Sequence, residues 1–226
     1  MIGSNTQTTT SLLEAGLGYA ADAVDSQLQW CKADPLSLLP SYILQRWLDV
    51  AGRSEQAWAE FERSKNLVGA HGVLTLTAAM RALADGAPDL AASLLREIRE
   101  NETVSHALVP ILIEALGTPD KAGSLLRAAY DRPEWRGSSM SITIAKGAVF
   151  FGEDDLAISA MRRGLVEQKV GHVLFELWSP NFVRLRQDPR FKTIVSDMGL
   201  ADFWRRTNKW NDFARPVGEN DFELIA

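Results

Sequence analysis

Gly52-Arg-Ser-Glu-Gln-Ala57 is a glycine, a short turn, an acid at the third position after the glycine and a small residue at the fifth. The same form returns at Gly86-Ala-Pro-Asp-Leu-Ala91, Gly117-Thr-Pro-Asp-Lys-Ala122 and Gly152-Glu-Asp-Asp-Leu-Ala157, with a fainter copy at Gly18-Tyr-Ala-Ala-Asp-Ala23. The glycines are separated by 34, 34, 31 and 35 residues. A period in that range belongs to stacked helical hairpins. Each glycine ends one helix with a left-handed backbone. Pro88, Pro119, Ser54 or Asp154 opens the next. The following acids, Glu55, Asp89, Asp120 and Asp155, are expected to cap its first turn.

Working outward, first helices are expected near 36–51, 70–85, 103–116 and 138–151, and second helices near 54–67, 88–100, 119–130 and 154–168. An earlier pair is expected over 8–17 and 19–32. Ala57, Phe61 and Ser64 recur as Ala91, Leu95 and Ile98, then Ala122, Leu126 and Ala129, then Ala157, Met161 and Gly164. That is one face at a 3.6-residue period. The first helices are apolar nearly all round, as helices packed on two sides must be. Pro110 falls inside a first helix, where a kink is expected. The fold class is therefore all-α, with no strand pattern that competes.

Composition sets the outer bounds. The 226 residues carry a net charge of −5, a 46% hydrophobic share and seven Trp, which fits a large buried core. Residues 1–8 read as a flexible Ser/Thr-rich leader rather than a signal peptide. Cys31 is the single cysteine, so no intrachain disulfide forms; a cytoplasmic setting is expected. No apolar run reaches membrane-spanning length, and membrane insertion is not expected.

Gly52 to Phe61, with an acid, a small residue and an aromatic at their spacings, resembles the tetratricopeptide repeat, over roughly residues 9–170 with hinges near 18, 52, 86, 117 and 152. The small residue this family sets seven before the hinge is here Gln45, Ala79, Pro110 and Ala145. Leu177-Trp-Ser-Pro180, Leu185-Arg-Gln-Asp-Pro-Arg-Phe191, Met198-Gly-Leu200, Phe203-Trp204 and Lys209-Trp-Asn-Asp-Phe213 follow in order. They resemble the segment closing such repeats in bacterial signalling proteins that also carry an adenylate cyclase or winged-helix domain. The resemblance implies a right-handed superhelix of about five hairpins with a helical cap over 171–215 and a tail over 216–226. Trp178, Phe191, Trp204 and Trp210 would plug the final hairpin.

The resemblance also implies a concave groove lined by first helices. It selects Leu39, Tyr42, Arg46, Asp49 and Val50; Val73, Leu76, Met80, Leu83 and Ala84; Val104, Ala107, Ile111, Glu114 and Ala115; and Ser139, Ile142, Lys146, Val149 and Phe150. This strip is mostly apolar with two cations, Arg46 and Lys146, and lacks the Lys/Asn/Arg set with which some relatives clamp a peptide carboxylate. Its expected occupant is an apolar or amphipathic peptide, the chain's own tail, or a second copy in a homo-oligomer.

Chemistry elsewhere is sparse. His172 and Glu176 stand four apart without a third metal ligand. Cys31 has no adjacent base, and Glu153–Asp155 coincides with a helix start. Phosphate loops are absent, and no cofactor is expected. Residues 184–215 hold eight Lys/Arg against four Asp/Glu, with interleaved aromatics, a pattern single-stranded nucleic acid can use, although the chain as a whole is acidic. The function expected is non-catalytic protein–protein interaction in bacterial signalling or assembly. An enzyme with a pocket between cap and last repeats, or a nucleic-acid adaptor through the basic tail, is the alternative.

Overall fold

In the computed structural model, residues 3–69, 71–99, 106–168 and 171–225 are described. Helices pair in chain order: α1 (Gly3–Leu17) with α2 (Ala20–Ala33), α3 (Leu38–Val50) with α4 (Ser54–Val68), α5 (Gly72–Ala84) with α6 (Pro88–Glu97), α7 (Val109–Gly117) with α8 (Pro119–Asp131), and α9 (Ser138–Phe150) with α10 (Asp154–Arg162). Neighbouring hairpins pack α2 on α3, α4 on α5, α6 on α7 and α8 on α9, and α5 also touches α9. The chain is thus mostly helical, as expected.

Four hinges share one geometry. Gly18, Gly52, Gly86 and Gly152 have φ of +85°, +70°, +71° and +79°. After each, the next N–H reaches back five residues: Tyr19 to Glu14 O, Arg53 to Leu48 O, Ala87 to Ala82 O and Glu153 to Ala148 O, all at 2.8 Å. That bond closes the orphan carbonyls of the preceding helix. Gly117 departs from the set. It is the last residue of α7, and Thr118, at φ −138°, makes the turn instead. The acids do not cap by side-chain hydrogen bonds, contrary to expectation; none of α4, α6, α8 or α10 has such a cap. They stand in the first turns, where their charge meets the helix dipole, and Asp155 binds Arg190 at 2.6 Å.

Small residues at the hinges let the helices cross closely. Ala57, Ala91, Ala122 and Ala157 are fully buried, and Phe61, Leu95, Leu126 and Met161 lie beneath them. Burying each of those larger side chains contributes roughly 1.5–3 kcal/mol. Pro110 produces no kink: α7 begins at Val109, so the proline stands in the first turn, where its missing N–H costs nothing. In the repeat with the 31-residue spacing both helices are short, α6 with 10 residues and α7 with 9 against 15 and 13 in α4 and α5, and Gly117 is itself the last helical residue.

Two other expectations change. α1 starts at Gly3, inside the stretch read as a leader. Packing on α2 and on the 171–178 turn overrides the poor helix propensity of its Ser and Thr. The tail is a β-hairpin, β1 (Ala214–Val217) with β2 (Asp221–Leu224), paired antiparallel with Ala214 opposite Leu224. Phe222 is buried and packs on Trp204 and Trp210, at centroid distances of 6.3 and 6.4 Å.

Between the last hairpin and the strands, α10 widens into a π-helical turn over Arg163–Glu167, and 3₁₀ turns follow over Gly171–Trp178, Pro180–Phe182 and Arg184–Gln187. Asp188 then caps α11 (Pro189–Asp197) by accepting the Arg190 N–H at 2.8 Å, and Gly199, at φ +73°, turns the chain into α12 (Leu200–Thr207). α11 does pack on α10. The plugs, however, also reach the first hairpin. The indole N–H of Trp178 donates to Gly16 O at 3.0 Å and that of Trp204 to Leu17 O at 3.2 Å. Asn211 Nδ2 donates to Leu17 O at 3.0 Å, and Asp212 N to Gly18 O at 3.1 Å. Asp212 in turn accepts the Ala20 N–H at 2.8 Å. The carbonyls orphaned at the end of α1 are satisfied by residues nearly the whole chain away.

A glycine series separates these effects. A Cβ on Gly18 would lie 2.1 Å from Asn211 Nδ2, whereas one on Gly52 or Gly117 meets nothing within 4 Å. Gly18→Ala should cost about 2–4 kcal/mol, from backbone strain plus the clash. Gly52→Ala should cost about 1–2 kcal/mol from strain alone, and Gly117→Ala should gain about 0.5–1 kcal/mol. Chemical denaturation of the three variants checks the order.

Candidate functional site

α3 carries Tyr42, Arg46 and Asp49 at spacings of four and three, so they lie along one helix face. α5 brings Met80 and Arg81, and α9 brings Lys146. Over them runs the chain's own segment Leu174–Phe182. Glu176, 7% exposed, pairs with Arg46 through one oxygen and with Lys146 through the other at 2.7 Å. Arg81, 2% exposed, binds Asp49 through two nitrogens, Nη2 to Oδ2 at 2.6 Å. The Arg46 guanidinium also donates to the Tyr42 hydroxyl and lies 4.2 Å over the Phe175 ring, which packs edge-on against Trp47 at 4.7 Å. Asn181 Nδ2 donates to Met80 O at 2.8 Å and its Oδ1 accepts from Ser179 at 3.0 Å.

Three cations thus face two carboxylates in a buried setting. Burial pushes the Lys146 ammonium down, to about 7, with Arg46 and Arg81 adding repulsion and Asp49 opposing. The Glu176 carboxylate, 2.7 Å away, favours the charged form. Burial raises Asp49 above the usual carboxylate range, against the hydrogen bonds from Arg81. The space left between Arg46, Asp49, Lys146, Glu176 and Asn181 is about 20 Å³, enough for about one water.

The expected groove residues separate into several groups. Arg46, Asp49 and Lys146 come together with half-buried Tyr42. Val50, Met80, Leu83, Ala115 and Ile142 are buried in the core rather than displayed. Val73, Leu76, Ala107, Ile111, Ser139, Val149 and Phe150 are half-buried. Leu39, Ala84 and Glu114 are exposed. Val104 lies outside the described residues. The strip is therefore not an open groove: segment 174–182 occupies the part that carries its charges.

Arg81, Phe175, Glu176 and Asn181 were not selected by the groove register that the resemblance implies. Arg81 stands one position off the groove register, five before Gly86. Its signal is chemical instead. It is the lone charge within Gly72–Ala84, as Glu176 is within Val173–Trp178, and a charge in an apolar helix or turn requires a partner.

The remaining candidates resolve differently. Among the described residues no three His, Cys, Asp or Glu gather as metal ligands, and no helix is long and apolar enough to cross a membrane. Burial pushes the Cys31 thiol up to about 11, which leaves it protonated at neutral pH. The basic tail is largely paired: Arg184 with Asp154, Arg190 with Asp155 and Asp188, Lys192 with Asp221, Arg205 with Asp202, Lys209 with Asp22 and Arg215 with Glu223. Phe191 and Trp204 are fully buried. No protein-family model, curated protein or solved structure matches the chain.

Lys146 makes the network's weight measurable. Its folded-state value is depressed from 10.5 to about 7, so between those values the unfolded chain binds more protons and stability rises with pH. Wild type should gain stability from pH 7 to pH 9, and Lys146→Met should show a flatter profile. Glu176→Gln leaves Arg46 and Lys146 without their carboxylate and should cost about 3–5 kcal/mol at pH 7. Urea titrations at several pH values check both.

Proposed function

We propose that this chain is a non-catalytic protein–protein interaction module of the tetratricopeptide kind, a superhelix of helical hairpins serving bacterial signalling or assembly. The observation that carries the reading is the filling of the inner face. Segment 174–182 lies across α3, α5 and α9 and is recognised through a carboxylate, an aromatic ring and an amide, as a bound peptide would be. Leu177, Trp178 and Phe182 in that segment are fully buried, so it is part of the core, and a partner meets other surface.

The surface that fits is the end of the second hairpin away from Gly52. Leu36, Leu39 and Leu67 are 75%, 52% and 48% exposed there. Arg63 of α4 reaches Pro35 O at 3.3 Å, which brings the end of α4 beside the start of α3. Such apolar exposure suits the apolar face of a partner helix.

An enzyme is the second reading, and the cluster of Arg46, Asp49, Arg81, Lys146 and Glu176 is the observation in its favour. Against it, both carboxylates are held by cations and about 20 Å³ of space admits no substrate. The paired arginines and buried aromatics of the tail weigh in the same way against a nucleic-acid adaptor.

The test is affinity capture with the purified full chain. Leu36→Ser/Leu39→Ser/Leu67→Ser should weaken a saturable protein partner about tenfold or more while melting like wild type. Retention of the partner by the triple variant, or no saturable partner at all, would overturn the reading.

A further inference from the structure

A cleft of about 550 Å³ opens on the hinge side of α3, between the start of α2, the Gly52 turn and the C-terminal segment. Its size is that of a small-molecule site. Arg186 lines it and is 6% exposed. Nη2 donates to Trp178 O at 2.8 Å, and the guanidinium lies 4.6 Å over the Phe213 ring. Phe213 stacks in turn on Trp178, with centroids 5.0 Å apart and planes 9° apart. Nε is buried with no hydrogen-bond partner. Burial alone pushes the guanidinium down, to about 10, and no carboxylate offsets it.

That is an unusual state for an arginine, since a buried cation is ordinarily paired. The other buried arginine, Arg81, has Asp49. Two acids do border the cleft, but both are engaged: Asp49 by Arg81, and Asp212 by the backbone N–H of Ala20. A second cation, Arg53, stands half-buried at the rim and forms no ion pair among the described residues. Val50, Val183 and Phe213 supply apolar wall.

We propose that this cleft binds a small organic anion, a carboxylate or phosphate carried on an apolar or aromatic body. Arg186 pairs with the anion, Arg53 closes over it from the rim, and the Phe213 side takes the apolar part. A charge-assisted pair would supply what the Arg186 guanidinium lacks. The site is separate from the partner surface at Leu36, Leu39 and Leu67, and neither proposal rests on the other.

Calorimetric titration of the full chain with benzoate, phenyl phosphate, inorganic phosphate and benzyl alcohol tests it. One or both aryl anions should bind saturably, more weakly at high salt, with inorganic phosphate and benzyl alcohol at least about tenfold weaker. Arg186→Met should abolish that binding and melt no lower than wild type, because an unpaired buried charge is replaced by an apolar chain of similar length. Arg53→Ser, at the half-exposed N-cap of α4, should weaken binding severalfold while melting no lower than wild type, and decides the matter if Arg186→Met fails to fold. Arg184→Ser removes a neighbouring cation paired with Asp154 and should leave binding unchanged. Saturable binding of neither aryl anion, equal binding by Arg53→Ser, or equal binding of inorganic phosphate would overturn the proposal.

Discussion

Three consecutive carbonyls at the end of α1 hold the two ends of the chain together. Gly16 O accepts the indole of Trp178, Leu17 O accepts the indole of Trp204 and the amide of Asn211, and Gly18 O accepts the Asp212 N–H. A stack of helical hairpins leaves an apolar face at each end. Here one C-terminal segment packs on α10 and also joins the first hinge. The hydrogen bonds matter beyond their number. Trp178 and Trp204 are fully buried, and an indole N–H without a partner in that setting would cost about 1–3 kcal/mol. The carbonyls that a helix end leaves open are the partners the two indoles need.

The closure decides what the first-helix face around Arg46 and Lys146 can do. A groove of first helices would expose a long apolar strip, and this chain lays its own residues 174–182 there instead. Arg46 and Lys146 acquire Glu176, and Arg81 acquires Asp49 from the neighbouring hairpin. Such buried pairs add little net stability, because desolvation offsets the attraction. They do penalise any other placement of the segment, since a shift of one residue would leave Arg46 and Lys146 without their carboxylate. Specificity of placement is what the network contributes.

The fold was legible because its signal is repeated. One Gly-x-x-acid-x-Ala turn is weak, but four at nearly equal spacing fix the hinges, and Gly52, Gly86 and Gly152 have the left-handed backbone the reading requires. Gly117 shows the limit, because a similar sequence there turns through Thr118. The β-hairpin escaped because its strands are four residues each and only Phe222 is buried on it, too little alternation to register. The site was half legible. The groove register implied by the family resemblance picked out Arg46, Asp49 and Lys146, all on first helices. It could not find Glu176, which follows the repeats and reaches α3 across 130 residues of sequence. No periodic argument links positions related by closure rather than by repetition.

Closure also creates the hinge-side cleft. Its walls come from α2 and the Gly52 turn on one side and from Trp178, Arg186 and Phe213 on the other, which no local stretch brings together. Asp212 joins the two sides, accepting from Ala20 and donating its own N–H to Gly18 O, and Phe213 follows it directly. The position of the Phe213 ring between Trp178 and Arg186 is therefore tied to the Gly18 turn. A side chain at Gly18 would press on Asn211 and through it on Asp212 and Phe213. The joint that completes the fold thus also sets the aromatic surface against which the unpaired arginine lies.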